Sequence, residues 1–173
     1  NSEQPNSRWY SGCGIYRNVW LTSVDPVYVD LWGVYVTTPE ITEDNAVVNV
    51  KTTVKNEMPQ EVNVKTETSI VDGSGKQVAS ASVSGTLAAG SSKEIEQDLS
   101  VREPVLWTLE NPCLYEVVTR IFVDDKQTDE YVTPLGIRYF TFDAQKGFFL
   151  NGESTKIKGV CLHHDLGCLG AAV

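Results

Sequence analysis

The sequence predicts an all-β fold organised as an antiparallel β-sandwich, and three observations carry this prediction. Apolar and polar residues alternate with a period of two in segments such as 48–55 and 62–70, which places one face inside and one face in water. Turn signals, for example the run 72–75 (DGSG), recur between these segments at intervals of about 8 to 12 residues. No stretch has a helical period, and about seven short strands with such turns are typical of immunoglobulin-like sandwiches.

The individual strands follow from β-branched and aromatic runs that Gly, Pro, Asn and Asp interrupt. We expect Pro39 to end the second of them, because proline lacks the N–H that a strand ladder needs. The predicted strands are 17–23, 27–38, 48–55, 62–70, 77–83, 92–99, 114–123 and 127–133. The inward face should bury Val48, Val50, Val54, Val62, Val64, Ile70, Tyr115, Val117 and Ile121. Tyr115 also occupies the position of a tyrosine corner, at the start of a late strand.

A second β signal follows the sandwich pattern. Segments 138–142 and 147–150 flank the polar turn 143–146 and predict a hairpin, and Asn151-Gly152 predicts a further tight turn. Residues 156–161 then predict one more strand.

Charge and composition exclude several classes of function. The 14 Lys and Arg residues against 23 Asp and Glu residues leave a net charge of −9, which repels nucleic acid and anionic membranes. Apolar runs are too short to span a bilayer, and no signal peptide opens the chain. We expect a soluble protein, cytoplasmic or periplasmic. The absence of an initial Met and of a polar tail suggests a piece of a longer chain.

Two separated groups of motifs resemble glycoside hydrolase family 2. Residues 7–21 (SRWYSGCGIYRNVWL) look like the end of that family's N-terminal sugar-binding-like domain. Residues 136–138 (GIR), 148–152 (FFLNG) and 158–167 (KGVCLHHDLG) look like its entry into the catalytic barrel. The resemblance implies three parts: the end of a jelly-roll domain at 1–28, an immunoglobulin-like sandwich at 29–137, and the truncated start of a (β/α)8 barrel at 138–173.

The resemblance also implies an activity for the parent protein. The motifs look most like the β-galactosidase branch, with β-glucuronidases and β-mannosidases as alternatives, so the parent would hydrolyse terminal β-galactosides as a retaining exo-glycosidase. Its two catalytic glutamates would lie beyond residue 173, and we expect no catalytic residue and no activity in this chain. The acidic runs 94–96 and 124–125 are interpreted as solvated surface. The partner would be the remainder of the parent chain. An independent carbohydrate- or protein-binding sandwich is the other hypothesis.

His163, His164 and Asp165 are the candidate substrate-binding residues of the parent. If 156–161 is the first barrel strand, they follow its C-terminal end, where barrel enzymes build their active sites. A zinc site from Cys161, His163, His164 and Cys168 is a weaker alternative, because structural zinc sites usually draw ligand pairs from separated turns. We expect no cofactor in this chain, and metal ions only in the parent's barrel.

The remaining chemistry-bearing residues are assigned structural roles. The four cysteines, too sparse for a disulfide framework, are expected to be mostly free and buried: Cys13, Cys113, Cys161 and Cys168. The four tryptophans are expected to pack the domain seam and the core rather than to stack on sugar rings: Trp9, Trp20, Trp32 and Trp107.

Overall fold

The computed structural model describes residues 14, 15 and 17–161. The chain divides into two compact units, and the fold belongs to the unit Val24–Lys156. Within the described residues the secondary structure is all β, with no helix. The strands are β1 (Val27–Ile41), β2 (Asn45–Asn56), β3 (Val62–Val71), β4 (Gln77–Leu87), β5 (Ser92–Arg102), β6 (Tyr115–Val123), β7 (Lys126–Leu135), β8 (Phe140–Asp143), β9 (Gly147–Leu150) and β10 (Glu153–Ser154).

The strands form three antiparallel sheets, which confirms the predicted fold class. A three-stranded sheet in the order β1-β2-β5 and a four-stranded sheet in the order β4-β3-β6-β7 make the sandwich. A small sheet in the order β10-β9-β8 follows it along the chain. Strands β8 and β9 are the predicted hairpin around the turn 143–146, and Asn151-Gly152 forms the turn before β10.

The core lies between the two large sheets. All nine residues that the alternation assigns to the interior are buried, none of them more than 8% exposed. A polar contact crosses this core, because the Thr68 hydroxyl on β3 donates a 2.7 Å hydrogen bond to Oε1 of Gln97 on β5. The sandwich therefore closes by burying one apolar face from each sheet.

The predicted tyrosine corner is present. Tyr115, 4% exposed, accepts a 2.9 Å hydrogen bond at its hydroxyl from the backbone N–H of Val105. This contact ties the loop between β5 and β6 to the start of β6.

Two predicted strands are wrong, and one strand end is misplaced. Residues 17–23 form no strand; Leu21 is 99% exposed there, and none of the described strands pairs with the segment. Residues 156–161 also form no strand, because a strand needs a hydrogen-bonded neighbour and none of the described strands supplies one. Pro39 does not end β1, since it lies in a register shift between Thr37 and Glu40 on an edge strand, where proline is tolerated.

Candidate functional site

The residues predicted to bind substrate lie outside the part of the chain that the structure describes. These are His163, His164 and Asp165. Three further residues with sequence-based predictions also lie outside the described residues: Trp9, Cys13 and Cys168. The described residues do include two of the motifs that follow the sandwich, GIR at 136–138 and the Asn151-Gly152 turn, and their contacts can be described.

The best-defined polar site is a junction cluster of Trp107, Gly136, Arg138 and Asn151. The Trp107 backbone N–H donates a 2.8 Å hydrogen bond to the carbonyl of Ile137. The Arg138 guanidinium lies over the Trp107 ring at 5.3 Å from the centroid and donates a 3.1 Å hydrogen bond to the Gly136 carbonyl. A cation over an indole face is attracted by the ring quadrupole, so both contacts favour the position of Arg138 against Trp107.

Gly136 is required by the closeness of this packing. A Cβ at this position would lie 2.9 Å from Nη1 of Arg138 and 3.1 Å from two ring atoms of Trp107. A side chain here would push the guanidinium and the indole apart. The GIR motif at 136–138 is therefore a packing motif.

Asn151 joins the hairpin to the sandwich. Its backbone has a left-handed φ of 51°, which Asn tolerates better than most residues. Its backbone N–H donates to the Tyr139 carbonyl at 2.9 Å, and its Oδ1 accepts from the Tyr139 N–H at 3.1 Å. Its Nδ2 donates to the Trp107 carbonyl at 3.0 Å. The Asn151-Gly152 turn thus has a structural role beyond reversing the chain.

The hairpin presents an aromatic face made of Phe140, Phe142 and Phe148. The three rings contact one another, with centroid separations of 5.8, 6.2 and 5.2 Å. Phe140 is 60% exposed and Phe142 is 71% exposed. The exposed rings of Phe140 and Phe142 therefore form a contiguous aromatic patch on the hairpin.

A groove of about 630 Å³ lies beside the junction cluster, between the end of β1 and the end of β7. Its aromatic walls are Tyr35, Tyr139 and Phe140, and Arg138 also lines it. The Thr38 hydroxyl closes one side with a 3.1 Å hydrogen bond to the Arg138 carbonyl. Sequence reasoning missed this groove, because no local pattern reports which strand ends approach each other.

The carboxyls with shifted pKa values have the properties of surface acids. Hydrogen bonding to Lys55 lowers the pKa of Glu57, and hydrogen bonding from Ser74 lowers that of Asp72. The backbone N–H groups of Gln145 and Lys146 lower the pKa of Asp143. A general acid near neutral pH needs the opposite shift, so these three carboxyls are unsuited to that role.

The acidic runs behave as predicted. Both are exposed, which confirms their interpretation as solvated surface: Glu94, Glu96, Asp124 and Asp125. No group of three or more His, Cys, Asp or Glu side chains that could hold a metal ion occurs among the described residues.

The expectations for cysteine and tryptophan are partly wrong. Cys113 and Cys161 are free as predicted, but Cys113 is half-buried and Cys161 is exposed. Trp107 packs in the junction cluster, whereas Trp20 and Trp32 are 81% and 86% exposed and belong to no core. None of the described strands pairs with the segments that contain Cys161 and Trp20.

The described residues include no helix with the length and hydropathy of a membrane span.

Comparison with known proteins gives consistent relatives. The family model for glycosyl hydrolases family 2 matches residues 27–138. The β-galactosidase BoGH2A of Bacteroides ovatus is 53% identical over all 173 residues, which are 20% of its own length. A β-glucuronidase of Formosa agariphila is 35% identical over 154 residues, covering 84% of this chain and 16% of its own length.

A solved structure agrees with the fold. The crystal structure of a glycosyl hydrolase family 2 member from Bacteroides cellulosilyticus superposes with a TM-score of 0.90 at 44% identity, covering 98% of this chain and 23% of that one. The chain therefore spans about a fifth of the length of these relatives. Since the family model covers more than half of its residues, the chain belongs to glycoside hydrolase family 2.

Proposed function

We propose that this chain is the non-catalytic sandwich region of a retaining exo-glycosidase that hydrolyses terminal β-galactosides, and that the sandwich supports the catalytic barrel. The observation that carries the substrate is the 53% identity over the whole chain to a β-galactosidase, against 35% to a β-glucuronidase. The galactoside proposal rests on this one relative, because three further β-galactosidases are 27–29% identical.

The chemistry of the described carboxyls supports the non-catalytic role. Retaining glycosidases hold two carboxyl groups about 5 Å apart, one as nucleophile and one as an acid with a raised pKa. Glu57 and Asp143 are exposed and Asp72 is half-exposed, and hydrogen-bond donors lower the pKa values of all three. The catalytic glutamates are proposed to lie beyond residue 173, and His163, His164 and Asp165 to contact the sugar in the full-length protein.

The aromatic face supports the scaffold role. Phe140 and Phe142 lie on the hairpin and expose more than half of their surface, and a hydrogen bond from Asn151 to Trp107 attaches this hairpin to the sandwich. A rigidly attached apolar face is suited to dock another domain of the same polypeptide. The barrel of the full-length protein is the proposed occupant.

The test uses the protein encoded by the complete gene. It should release the chromophore from an aryl β-galactoside much faster than from the matched aryl β-glucuronide. Chain 1–173, checked for its β fold by circular dichroism, should release neither above background. A full-length protein that prefers the glucuronide would overturn the proposed galactoside substrate and favour a β-glucuronidase instead. Turnover by chain 1–173 that disappears on mutating one of its own acidic residues would overturn the non-catalytic role.

A gene that ends near residue 173 would instead favour an independent binding module. Calorimetric titration of chain 1–173 with galactose and galactosides would then detect binding, which the scaffold proposal does not expect.

A further inference from the structure

Strand β1 contains a large bulge that the proposed function does not explain. Val29 pairs with Val54 on β2, and Val34 pairs with Thr52, so the segment 30–33 of β1 lies opposite Thr53 alone. We call this segment the 30–33 bulge. Just before the bulge, the Val29 N–H donates a 2.8 Å hydrogen bond to the Asp129 carboxylate on β7.

The backbone of the bulge is unfavourable for the residues it contains. Trp32 has a φ of 53°, a left-handed conformation that is rare for a bulky side chain. A Cβ on Gly33 would lie 2.7 Å from the Asp30 carbonyl oxygen and 2.9 Å from that of Thr53, so glycine is required there. The Asp30 carboxylate accepts a 2.8 Å hydrogen bond from the Leu31 N–H and fixes the turn.

The bulge exposes two adjacent apolar side chains, Leu31 and Trp32. Leu31 is 79% exposed and Trp32 is 86% exposed, although Val27 and Val29 on the same strand are 1% and 6% exposed. Strain of this kind points to function when the observed outlier has no structural use. Bulges are known devices for redirecting a side chain out of a sheet.

We propose that Leu31 and Trp32 form a docking anchor that inserts into an apolar pocket on a domain of the full-length protein outside residues 1–173. This inference rests on the proposed function, since it names a second contact between the sandwich and the rest of the polypeptide. The relatives leave about four fifths of their length outside the matched region, so a covering domain is available in them. Buried tryptophan is the strongest class of interface anchor.

The composition of the bulge favours protein over sugar as the occupant. A sugar-stacking platform pairs an aromatic ring with hydrogen-bonding groups that are free to bind hydroxyls. Here the neighbour of Trp32 in the exposed pair is the aliphatic Leu31, and Oδ1 of Asp30 already accepts the Leu31 N–H. Two adjacent apolar side chains match a protein pocket better.

Hydroxyl-radical footprinting with mass spectrometry tests the proposal. Oxidation of Trp32 should be severalfold slower in the full-length protein than in chain 1–173, with Tyr131 on β7, 38% exposed, as the internal control that oxidises alike in both. Equal Trp32 rates would overturn the anchor. Protection of Trp32 in chain 1–173 by a galacto-oligosaccharide would replace it with a sugar platform.

A substitution gives a second, independent readout. Trp32→Gly removes the anchor but also relieves the left-handed backbone, so it should leave unchanged or raise the melting temperature of chain 1–173. In the full-length protein the same change should lower the melting temperature of the transition that unfolds the sandwich. Tyr131→Ala should show no such reversal of sign. A Trp32→Gly effect of the same sign in both proteins would contradict the anchor.

The two proposals fail separately. A full-length protein that ignores β-galactosides but protects Trp32 loses the proposed substrate and keeps the anchor. One that cleaves β-galactosides with Trp32 unprotected keeps the substrate and loses the anchor.

Discussion

Nδ2 of Asn151 donates a 3.0 Å hydrogen bond to the main-chain carbonyl of Trp107, a residue 44 positions earlier in the chain. Trp107 in turn carries the Arg138 guanidinium over its ring, and its N–H is bonded to Ile137. One amide side chain therefore connects the turn after the hairpin to the loop before β6. The hairpin is consequently part of the sandwich's own hydrogen-bond network.

Asn151→Ala should weaken this attachment. The variant loses the side-chain hydrogen bonds to Trp107 and Tyr139, at a cost of about 1–2 kcal/mol in the free energy of unfolding. Denaturant unfolding measures the loss, and hydrogen exchange should show faster exchange of the Tyr139 amide. Asn151→Gly separates strain from hydrogen bonding, because glycine accepts the φ of 51° but lacks the amide. If Asn151→Gly retained wild-type exchange at Tyr139, the hydrogen bonds would not be the cause.

Gly136→Ala and Gly85→Ala should have opposite effects. The added methyl at residue 136 would lie 3.1 Å from the Trp107 ring, and such overpacking costs about 1–3 kcal/mol. At residue 85 on β4 the nearest atom is the flexible Lys93 Nζ at 3.7 Å, so alanine should stabilise by about 0.4–1 kcal/mol through the unfolded state. Thermal unfolding of both variants makes the comparison. Equal stability of the two would show that the junction tolerates the methyl.

Thr119→Val and Thr68→Val test the buried hydroxyls of the core. The Thr119 hydroxyl is buried without a hydrogen-bond partner, so replacing it should be neutral or stabilising. The Thr68 hydroxyl bonds to Gln97, and its removal leaves that amide oxygen unpaired at a cost of about 1–3 kcal/mol. The urea concentration at the unfolding midpoint should fall for Thr68→Val and stay unchanged or rise for Thr119→Val. A larger loss for Thr119→Val would mean that its hydroxyl has a partner in solution.

Asp143→Asn should reveal a pH-dependent contribution at the hairpin turn. The Gln145 and Lys146 N–H groups lower the pKa of Asp143 from 3.8, so folding favours the ionised carboxylate over the protonated acid. The resulting stability is present above pH 3.8 and is lost as the pH falls through the lowered pKa. The melting temperatures of wild type and variant should therefore differ at neutral pH and converge in acid. A difference that grows in acid would contradict this sign.

The sandwich could be predicted from the sequence because its main signal is local. Alternation of apolar and polar residues is set by the geometry of each strand, so it locates inward residues such as Val50 and Ile121 without any knowledge of partners. The wrong predictions concern segments whose structure depends on a neighbouring strand. Segments 17–23 and 156–161 have suitable residues, but none of the described strands pairs with them, and Pro39 is tolerated because β1 is an edge strand.

The candidate site was less accessible to sequence reasoning. The Trp107–Arg138 stack and the hydrogen bond from Asn151 join segments that are far apart in the chain, and no spacing rule reports such pairs. The exposure of Trp32 depends on a bulge whose register is visible only in the paired sheet. Composition alone favoured a buried tryptophan, and the bulge reversed that preference.

His163→Ala should lower kcat/KM of the full-length protein without unfolding it. The family resemblance implies that 156–161 becomes the first barrel strand in the full-length protein, and residues after a barrel strand emerge on the face that binds substrate. That segment is not a strand here, because a barrel strand is completed by neighbours on both sides, so the test belongs in the full-length protein. A hydrogen bond to a sugar hydroxyl that tightens in the transition state is worth on the order of 1–3 kcal/mol, which corresponds to a loss of about 5- to 150-fold. His164→Ala is the matched variant, and we expect the larger loss for His163, because it lies nearer the predicted strand end. Unchanged kinetics for both variants, with an unchanged melting temperature, would remove these histidines from the proposed sugar site.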